Sequence, residues 1–540
     1  MNLIKIKRAL VSVSDKADIE YIAGILSKSG CEIISTGGTK RRLSDAGIQV
    51  TDISNITGNP EAFDGRMKTI SFQVESALLF DREKDAEEAK SLNVKPIDLV
   101  ICNLYPFAEK VKQGAELPEL IENIDIGGPT MIRSAAKNYK WVTVITDPSD
   151  YQKLEKELTE NDWHISEQFR FQMMRKAFNH TADYDAMIAT TLDEKAGEKS
   201  IRLFYDHGIE LRYGENSHQE AVLYRDNTTE NSLADLEYLH GKQLSYNNIL
   251  DIEAAQLTVR DIPQTAVAII KHLNPCGFAC GDDQKEVLTN AWFGDPVSAF
   301  GSIIAFNKKL ELSSAEFLEL NNPDKSKRKF IEVIAAPDFA EGVIDYLSFH
   351  KNLRIIKFDP DSIKSKFNLR FVHGSILWQT SDDKLYDSLN QVTEGDIDWI
   401  SDQDLIEFGL KAVRSIKSNA IVIVQRSDKG ILRLTGMGTG QPNRLIATQL
   451  ALDKTRTNLR NEAKDAGIED IEEYVTTQIG KSILVSDAYF PFADNLELAA
   501  ESGIRNIIQP GGSIRDKKVI KTARALGINM LFTGIRHFRH

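Results

Sequence analysis

Ala9-Leu10-Val11-Ser12-Val13, then Asp15–Ser29, then Cys31-Glu32-Ile33-Ile34-Ser35 with Thr36-Gly37-Gly38-Thr39 behind it, decide the fold of the first part of this chain. The first and third runs are short and rich in apolar, β-branched residues, as strands are. Between them Ile19, Ile22, Ala23 and Leu26 recur at helical spacing and form one apolar stripe. A second helix runs from the Gly37-Gly38 turn to Ala46. Further out, Asp98–Leu104 and Val142–Thr146 read as buried strands, and about Ser166 to Leu192 as a helical region. Strands alternating with helices predict a parallel, doubly wound α/β sheet. The polar, charged segment Asp193–Ser200 predicts a domain boundary.

A second mixed α/β block is expected from roughly 201 to 540. Its candidate strands are Ala266–Lys271, Ser302–Phe306, Phe330–Ala335, Phe371–Trp378, Ala420–Gln425, Ser482–Ser486, Asn506–Gln509 and Asn529–Phe532. That length predicts two subdomains, split near 365–400. A worn duplication fits them: each part has a strand, a Gly-rich turn and a basic or polar side chain beyond it.

The chain has 540 residues, a prior of three to four domains at about 150 residues each. Its 66 Lys and Arg against 79 Asp and Glu leave a net charge of −13, without long basic runs. Such a chain grips a phosphate backbone poorly, so nucleic acid is not an expected partner. Anionic small molecules can still be held locally, by helix ends and a few Arg or Lys. Cys31, Cys102, Cys276 and Cys280 are too few for a disulfide framework. The apolar stretch Ala9–Val13 is too short for a signal-peptide core. No window approaches the about 18 apolar residues of a membrane span. A cytoplasmic protein without a membrane partner is expected.

Several short motifs stand where strands hand over to helices. Thr36-Gly37-Gly38-Thr39 points backbone N–H groups and a helix end at one spot, with Ser12, Ser14 and Lys16 at the equivalent position after the first strand. Both suit a phosphate, and both also fit ordinary βα turns. Asp125-Ile126-Gly127-Gly128-Pro129 opens a helix that carries Thr130, Arg133, Ser134 and Lys137 on one face: a site wall or a solvated face. Asn103-Leu104-Tyr105-Pro106-Phe107 ends a buried strand, where open α/β sheets place ligands. Arg66, Lys68 and Thr69 add a basic–hydroxyl cluster.

In the second block, Lys271-His272 closes a strand before Leu273-Asn274-Pro275-Cys276-Gly277. His272 is a candidate general base, with a neighbouring Lys that favours its neutral form, or a structural histidine. His272, Cys276 and Cys280 invite a zinc reading. It fails, because there is no His-x-Glu and the cysteines are spaced C-x3-C. Downstream lie Lys417-Ser418-Asn419, the run Gly436 to Arg444 read as opening a helix with an anion-clamping arginine, Ser486-Asp487-Ala488-Tyr489-Phe490-Pro491-Phe492, Gln509-Pro510-Gly511-Gly512-Ser513-Ile514, and the terminal Arg536-His537-Phe538-Arg539-His540.

In this order, SVSDK, STGGT, NLYPF, DIGGPT with RSAAKN, RYGENSHQ, IKHLNPCG, KSN, GTGQPNR, SDAYFPF and PGGSIRDK resemble one family over essentially the whole chain. It is the bifunctional purine-biosynthesis family, which joins an IMP cyclohydrolase to an AICAR formyltransferase. The resemblance implies a methylglyoxal-synthase-like cyclohydrolase domain with a parallel sheet at 1–195. It implies a formyltransferase domain at 201–540, made of two cytidine-deaminase-like α/β subdomains lacking zinc. The second block would transfer formyl from 10-formyltetrahydrofolate, a cosubstrate, to AICAR; the first would close formyl-AICAR to IMP with loss of water. No tightly bound cofactor is implied. A homodimer with formyltransferase sites at its interface is implied.

Carried over residue by residue, His272 is the base, Lys271 supports developing charge and Asn419 positions the groups. Arg212, Tyr213, Gly301, Glu332, Arg444, Tyr489 and Arg536 match nucleotide contacts, and Ser513, Ile514 and Asp487 fall where folate is held. In the first block Lys68, Tyr105, Asp125 and Lys137 match the polar groups of ring closure, with Lys137 expected to be the main proton-transfer group. Ser12, Ser14, Lys16, Thr36, Gly37, Gly38, Thr39, Arg66, Thr69, Asn103 and Gly127 match substrate contacts.

Three departures from the pattern stand out. After Lys68-Thr69 the family commonly continues Leu-His-Pro and another His, whereas Ile70–Glu75 here contains no histidine. Ser217 replaces a usual Pro, and His373 and Ser375 replace usual glycines. One rival is therefore an enzyme with formyl transfer only and a degenerate first domain, marked by accumulating formyl-AICAR. A non-catalytic purine-nucleotide binder is the other, excluded by any turnover.

Overall fold

A computed structural model of the chain describes residues 3–63, 66–226, 229, 231–361, 365–393 and 402–540. They fall into two units, Met1–Phe204 and Tyr205–His540.

The first unit is built on five parallel strands: β1 (Arg8–Ser12), β2 (Glu32–Ser35), β3 (Thr51–Asp52), β4 (Leu99–Cys102) and β5 (Thr143–Ile145), in the order β3-β2-β1-β4-β5. Parallel strands must be covered on both faces, and all four residues of β4 are buried. Alternate side chains feed two cores. Ala9, Val11, Ile33, Leu99 and Ile101 pack with the Ile19–Ile22–Ala23–Leu26 stripe of α1 (Ile19–Lys28). After α1 comes α2 (Gly37–Asp45). Leu10, Ile34, Val100 and Val144 pack with α3 (Phe72–Leu79) and α4 (Gly127–Lys137). Between β1 and β4 the strand order turns back on itself, and the crevice outside the carboxyl ends there is where such sheets hold ligands. A last helix, α5 (Glu167–Ala196), runs through Asp193–Ala196 before Gly197 ends it at φ 74°.

The second unit holds one twelve-stranded sheet. In chain order come β6 (Glu237–His240), α6 (Tyr246–Val259), β7 (Thr265–Lys271), β8 (Asn274–Gly281), α7 (Gln284–Trp292), β9 (Ser302–Phe306), β10 (Ile331–Ala336) and β11 (Arg354–Lys357). Then follow β12 (Asn390–Gln391), α8 (Gln403–Arg414), β13 (Ile421–Arg426), β14 (Leu432–Gly438), α9 (Arg444–Asp465), β15 (Ile483–Ser486), β16 (Asn506–Gln509) and β17 (Asn529–Phe532). The order is β6-β11-β10-β9-β7-β8-β14-β13-β15-β16-β17-β12. Its two halves have one topology. Each has an antiparallel hairpin (β7–β8, β13–β14), a third antiparallel strand, two parallel strands and a short antiparallel edge. The halves join at β8 and β14 through Ala279–Arg433 and Cys280–Leu432. One core runs under both, where the Phe278 and Phe408 rings stack with centroids 4.5 Å apart.

Two expectations need correction. Phe371–Trp378 is not one strand. Phe367–Val372 and Ser375–Thr380 form an antiparallel hairpin turning at His373-Gly374, with Gly374 at φ 67°. The run from Gly436 does not open the helix at once: Gly436–Gly438 finish β14 and the helix starts at Arg444, while the glycines of 274–281 lie within β8, and a helix crosses each strand closely. A Cβ on Gly277 would stand 2.0 Å from the Ala291 carbonyl oxygen of α7, and one on Gly438 1.9 Å from that of Ala447 in α9. Among the described residues no helix is long and apolar enough to cross a membrane.

Candidate active sites

In the first unit the carboxyl ends of β1, β2 and β4 converge at the point where strand order reverses. Ser12 Oγ lies 3.0 Å from Thr36 Oγ1 at the start of α2. Thr39 Oγ1 donates to the Val13 carbonyl at 3.0 Å and accepts from its N–H at 3.2 Å. Asn103 Oδ1 accepts from the N–H groups of Ser14 and Asp15 at 2.6 and 3.0 Å, while its Nδ2 donates to the Asp15 carbonyl at 2.9 Å. Thr39 and Asn103 thus shape the loop after β1 with their own polar atoms. Lys16 Nζ donates to the Ser14 carbonyl at 3.1 Å and stands 3.9 Å from where a Cβ on Gly38 would be. Its ammonium therefore sits over the positive N-terminus of α2, a combination that suits a phosphate.

A second group gathers at the N-terminus of α4. Asp125 Oδ1 accepts from Gly128 N at 2.8 Å, and the Asp125 N–H donates to Tyr184 Oη at 2.8 Å. Burial pushes the Asp125 carboxyl up, against the opposing pull of N–H groups from Gly128 and Tyr105 and of the Lys68 charge. Lys68 Nζ donates to Tyr105 Oη at 3.4 Å. Buried Thr69 closes the group: a Cβ on Gly127 would lie 2.8 Å from its Oγ1, so a larger residue there would have to displace that hydroxyl. Arg66 pairs with Glu122 at the surface.

Lys137 stands apart from these residues. It is the last residue of α4 and exposed, ten residues beyond Gly127 and so about 15 Å along the helix axis. Within the chain that puts it out of hydrogen-bonding reach of Asp125. One turn before it, Ser134 Oγ donates to Glu75 Oε2 at 2.5 Å. Glu75 ends the segment that lacks histidines, and burial pushes its carboxyl up.

The second-unit group begins at the β7–β8 hairpin. Lys271 and Asn274 pair across it, leaving His272 and Leu273 at the tip with φ 53° and 66°. Backbone of this kind costs a non-glycine residue roughly 1–3 kcal/mol. Lys271 Nζ donates to the Phe300 carbonyl at 2.8 Å, next to Gly301, which has φ 74°. From the hairpin a hydrogen-bonded chain crosses to the other half of the sheet. Asn274 Nδ2 donates to the His272 carbonyl at 2.8 Å, and Asn274 Oδ1 is 3.0 Å from Thr439 Oγ1, itself 2.9 Å from the Lys417 carbonyl. Asn419 Nδ2 donates to the Gln441 carbonyl at 2.7 Å, and its Oδ1 accepts from Arg444 Nη1 at 2.8 Å. Arg444 Nη2 donates to Asp487 Oδ1 at 2.6 Å, and Ser418 Oγ to Asp487 Oδ2 at 2.5 Å.

The terminal segment is tied into the same group. His537 N donates to the Asp487 carbonyl at 2.8 Å, and Arg539 N to Ser418 Oγ at 3.1 Å. On the first half, Glu332 Oε2 accepts from Asn248 Nδ2 at 3.1 Å and lies 3.5 Å from Arg354 Nη1.

Cys276 and Cys280 are not neighbours in any metal-binding sense. A register shift after Ile269 sends Cys276 into the core on one face of the sheet and Cys280 into the core on the other. Burial pushes both thiols up to about 12. Among the described residues no group of three or more His, Cys, Asp or Glu could hold a metal ion.

The family model described as AICARFT/IMPCHase bienzyme matches residues 135–454, and the MGS-like domain model matches residues 18–130. The bifunctional purine biosynthesis protein PurH of Clostridium botulinum (strain Okra / Type B1) is 42% identical over 537 residues, 99% of this chain and 100% of that protein. The chain belongs to the AICARFT/IMPCHase bienzyme family. PurH of Petrotoga mobilis is 40% identical over 543 residues, again 99% of this chain and 100% of its own length. The ForH crystal structure is 34% identical over 34% of this chain and 97% of its own, with a TM-score of 0.31. An MGS-like domain thus precedes the AICARFT/IMPCHase domain. The bienzyme is an AICAR formyltransferase and an IMP cyclohydrolase of purine biosynthesis, with 10-formyltetrahydrofolate as cosubstrate.

Within this bienzyme the structure brings together Lys271, His272, Asn419, Arg444 and Asp487 in one network, with Gly301 beside Lys271 and Tyr489 two residues beyond Asp487. It gathers Lys68, Thr69, Tyr105, Asp125 and Gly127 in another. Arg212 and Arg536 stay at the surface, over the rings of Tyr213 and Phe538 at 5.3 and 4.8 Å. Ile514 is fully exposed, and Ser513 Oγ accepts from Arg515 N at 3.1 Å. One contributor escaped the motif search. Asp251, in the middle of α6, accepts from Leu273 N at 2.7 Å. Its only trace in the sequence is an acid between Leu250 and Ile252.

Proposed function

We propose that formyl transfer takes place at the His272 group of the second unit and ring closure at the Asp125 group of the first. The observation that carries this is the run of hydrogen bonds, continued through the Lys417–Asn419 backbone, that joins the Lys271–His272 hairpin to Asn419, Arg444 and Asp487. Each half of the sheet supplies one end of it.

The amine of AICAR is a weak nucleophile, because its lone pair is delocalised into the imidazole. Its attack on the formyl carbon gives a tetrahedral intermediate with positive nitrogen and negative oxygen. His272, exposed at its hairpin tip, takes the nitrogen proton. Lys271, anchored on the Phe300 carbonyl, places its ammonium beside the oxygen. The bond from carbon to the folate nitrogen then breaks and that nitrogen is protonated. Asn419 spends both ends of its amide on Gln441 and Arg444, so its part is to position Arg444. Asp487 likewise spends both oxygens on Arg444 and Ser418, so we assign it to the frame of the site in place of a folate contact.

Ring closure removes one proton from the carboxamide nitrogen and one from the formylated nitrogen, and the formyl oxygen departs with both as water. Asp125, its carboxyl raised by burial and so a stronger base than a free carboxylate, is suited to accept a nitrogen proton. The Lys68–Tyr105 pair is suited to protonate the leaving oxygen. Lys16, Ser12, Ser14 and the α2 N-terminus hold the phosphate. Lys137 is removed from the main proton-transfer role by its place at the far end of α4.

The finer architecture belongs to the same proposal. The cyclohydrolase occupies 1–195. The two halves of the second sheet are zinc-less cytidine-deaminase-like subdomains of a formyltransferase at 201–540, divided near 365–400; of that division, 394–401 lies outside the described residues. Surface-exposed Arg212, Arg536, Tyr489, Phe492 and Ile514 support a homodimer whose partner completes the nucleotide and folate contacts. We place the enzyme in the cytoplasm. The test is His272→Ala: formyl transfer is lost while supplied formyl-AICAR is still closed to IMP. Formyl transfer at the normal rate would refute the assignment.

A further inference from the structure

His272 and Leu273 are the two central residues of a two-residue hairpin loop, and both have positive φ. Loops of this geometry prefer Asn-Gly or Gly-Gly, which adopt positive φ without penalty. Neither histidine nor leucine does, so the loop needs outside help to keep its shape.

That help comes from three directions. Asp251 Oδ1 accepts from Leu273 N at 2.7 Å. Asn274 Nδ2 holds the His272 carbonyl at 2.8 Å. The Leu273 side chain packs against the shared core. The peptide group that follows His272 is thereby held at both its N–H and its carbonyl while the imidazole stays exposed. Asp251 sits on α6, a helix held in the core by Ile252, Ala254, Ala255 and Val259, and is half-buried.

The geometry points to Asp251 as the positioning residue of formyl transfer. It carries the strained turn that presents His272, and acts through the Leu273 N–H, not on the imidazole. This rests on the assignment of His272 made above.

Three variants of the full-length enzyme separate the possibilities. Formyl transfer to AICAR is measured for kcat, KM and pH profile, and cyclisation of supplied formyl-AICAR serves as a control on folding. Asp251→Ala is expected to lower formyltransferase kcat by about ten- to a hundredfold, as misplacement of a reacting group does, with KM for AICAR changed less than about threefold and cyclisation unchanged. Asp251→Asn keeps an amide oxygen able to accept the Leu273 N–H. It is expected to retain kcat within about fivefold, with an unshifted pH profile.

An Asp251→Asn enzyme as slow as Asp251→Ala, with a displaced pH profile, would show that the charge acts on the imidazole and would overturn the inference. So would an Asp251→Ala enzyme at full rate beside an inactive His272→Ala. A fully active His272→Ala enzyme would instead overturn the site assignment itself. Should Asp251→Ala fail to fold, the isosteric Asn variant and its pH profile still decide between backbone support and charge.

Discussion

Arg444 and Asp487 form an ion pair out of reach of water: Nη2 and Oδ1 are 2.6 Å apart, with side-chain exposures of 9% and 0%. Ser418, Asn419 and Ser486 take up other polar atoms of the pair. Removing one partner leaves the other charge buried and uncompensated, which costs about 3–5 kcal/mol. Asp487→Ala is therefore expected to lower the thermal midpoint strongly and abolish formyl transfer. A midpoint equal to wild type would show that the pair does not hold the site.

Lys68 and Lys137 differ sharply in place, and so in expected effect. Lys68→Ala should reduce cyclisation of formyl-AICAR by about 10²-fold or more, the usual scale for a lost proton-transfer group. Lys137→Ala, at the far end of α4, should cost less than about tenfold. The reverse order in single-substrate kinetics would return the main role to Lys137.

Gly438 lies against the backbone of α9 with no room for a methyl group, its Cβ position 1.9 Å from the Ala447 carbonyl oxygen. Gly438→Ala must push strand from helix and is expected to destabilise by about 1–3 kcal/mol or more. Chemical denaturation reads the loss. An unchanged midpoint would mean that the helix moves freely.

Acid stability of the first unit should depend on Asp147. Burial raises its carboxyl, but Lys176 at 2.7 Å and the Ser149 bonds outweigh that and hold it at about 2. A depressed carboxylate stabilises the fold above its unfolded value of about 3.9, and the contribution fades as pH falls from there toward 2. With 43% of the side chain exposed, solvent screening leaves about 1 kcal/mol or less. Asp147→Asn should therefore lower the thermal midpoint at pH 7 by a few degrees and make little difference near pH 2. A larger difference in acid than at neutrality would reverse the sign.

Much of the fold was legible because apolar strands announce themselves. The runs around Ala266–Lys271, Ser302–Phe306 and Asn506–Gln509 are strands as read, and the α1 stripe packs on the sheet as its spacing predicts. β8 and β14 were hidden because the glycines a crossing helix demands are the residues that elsewhere signal turns. β3, β6 and β12 are too short to show a period. In the sites, motifs pointed to loops that the fold brings together, but not to which of their polar atoms are already spent on the protein itself. Thr39, Asn103 and Asp487 look like ligand contacts as residue types, and only the geometry shows their polar atoms spent on protein. Asp251 lay outside every motif because its partner is a backbone N–H group, which leaves no trace in side-chain pattern.

The most direct test is to give an Asp125→Ala enzyme AICAR and 10-formyltetrahydrofolate, and to identify the nucleotide product by mass spectrometry beside wild type. Wild type is expected to yield IMP. The variant, its His272 group intact, is expected to form formyl-AICAR at the normal rate and accumulate it. IMP from the variant at the wild-type rate, or loss of formyl transfer with the fold preserved, would contradict two separate sites carrying the two steps.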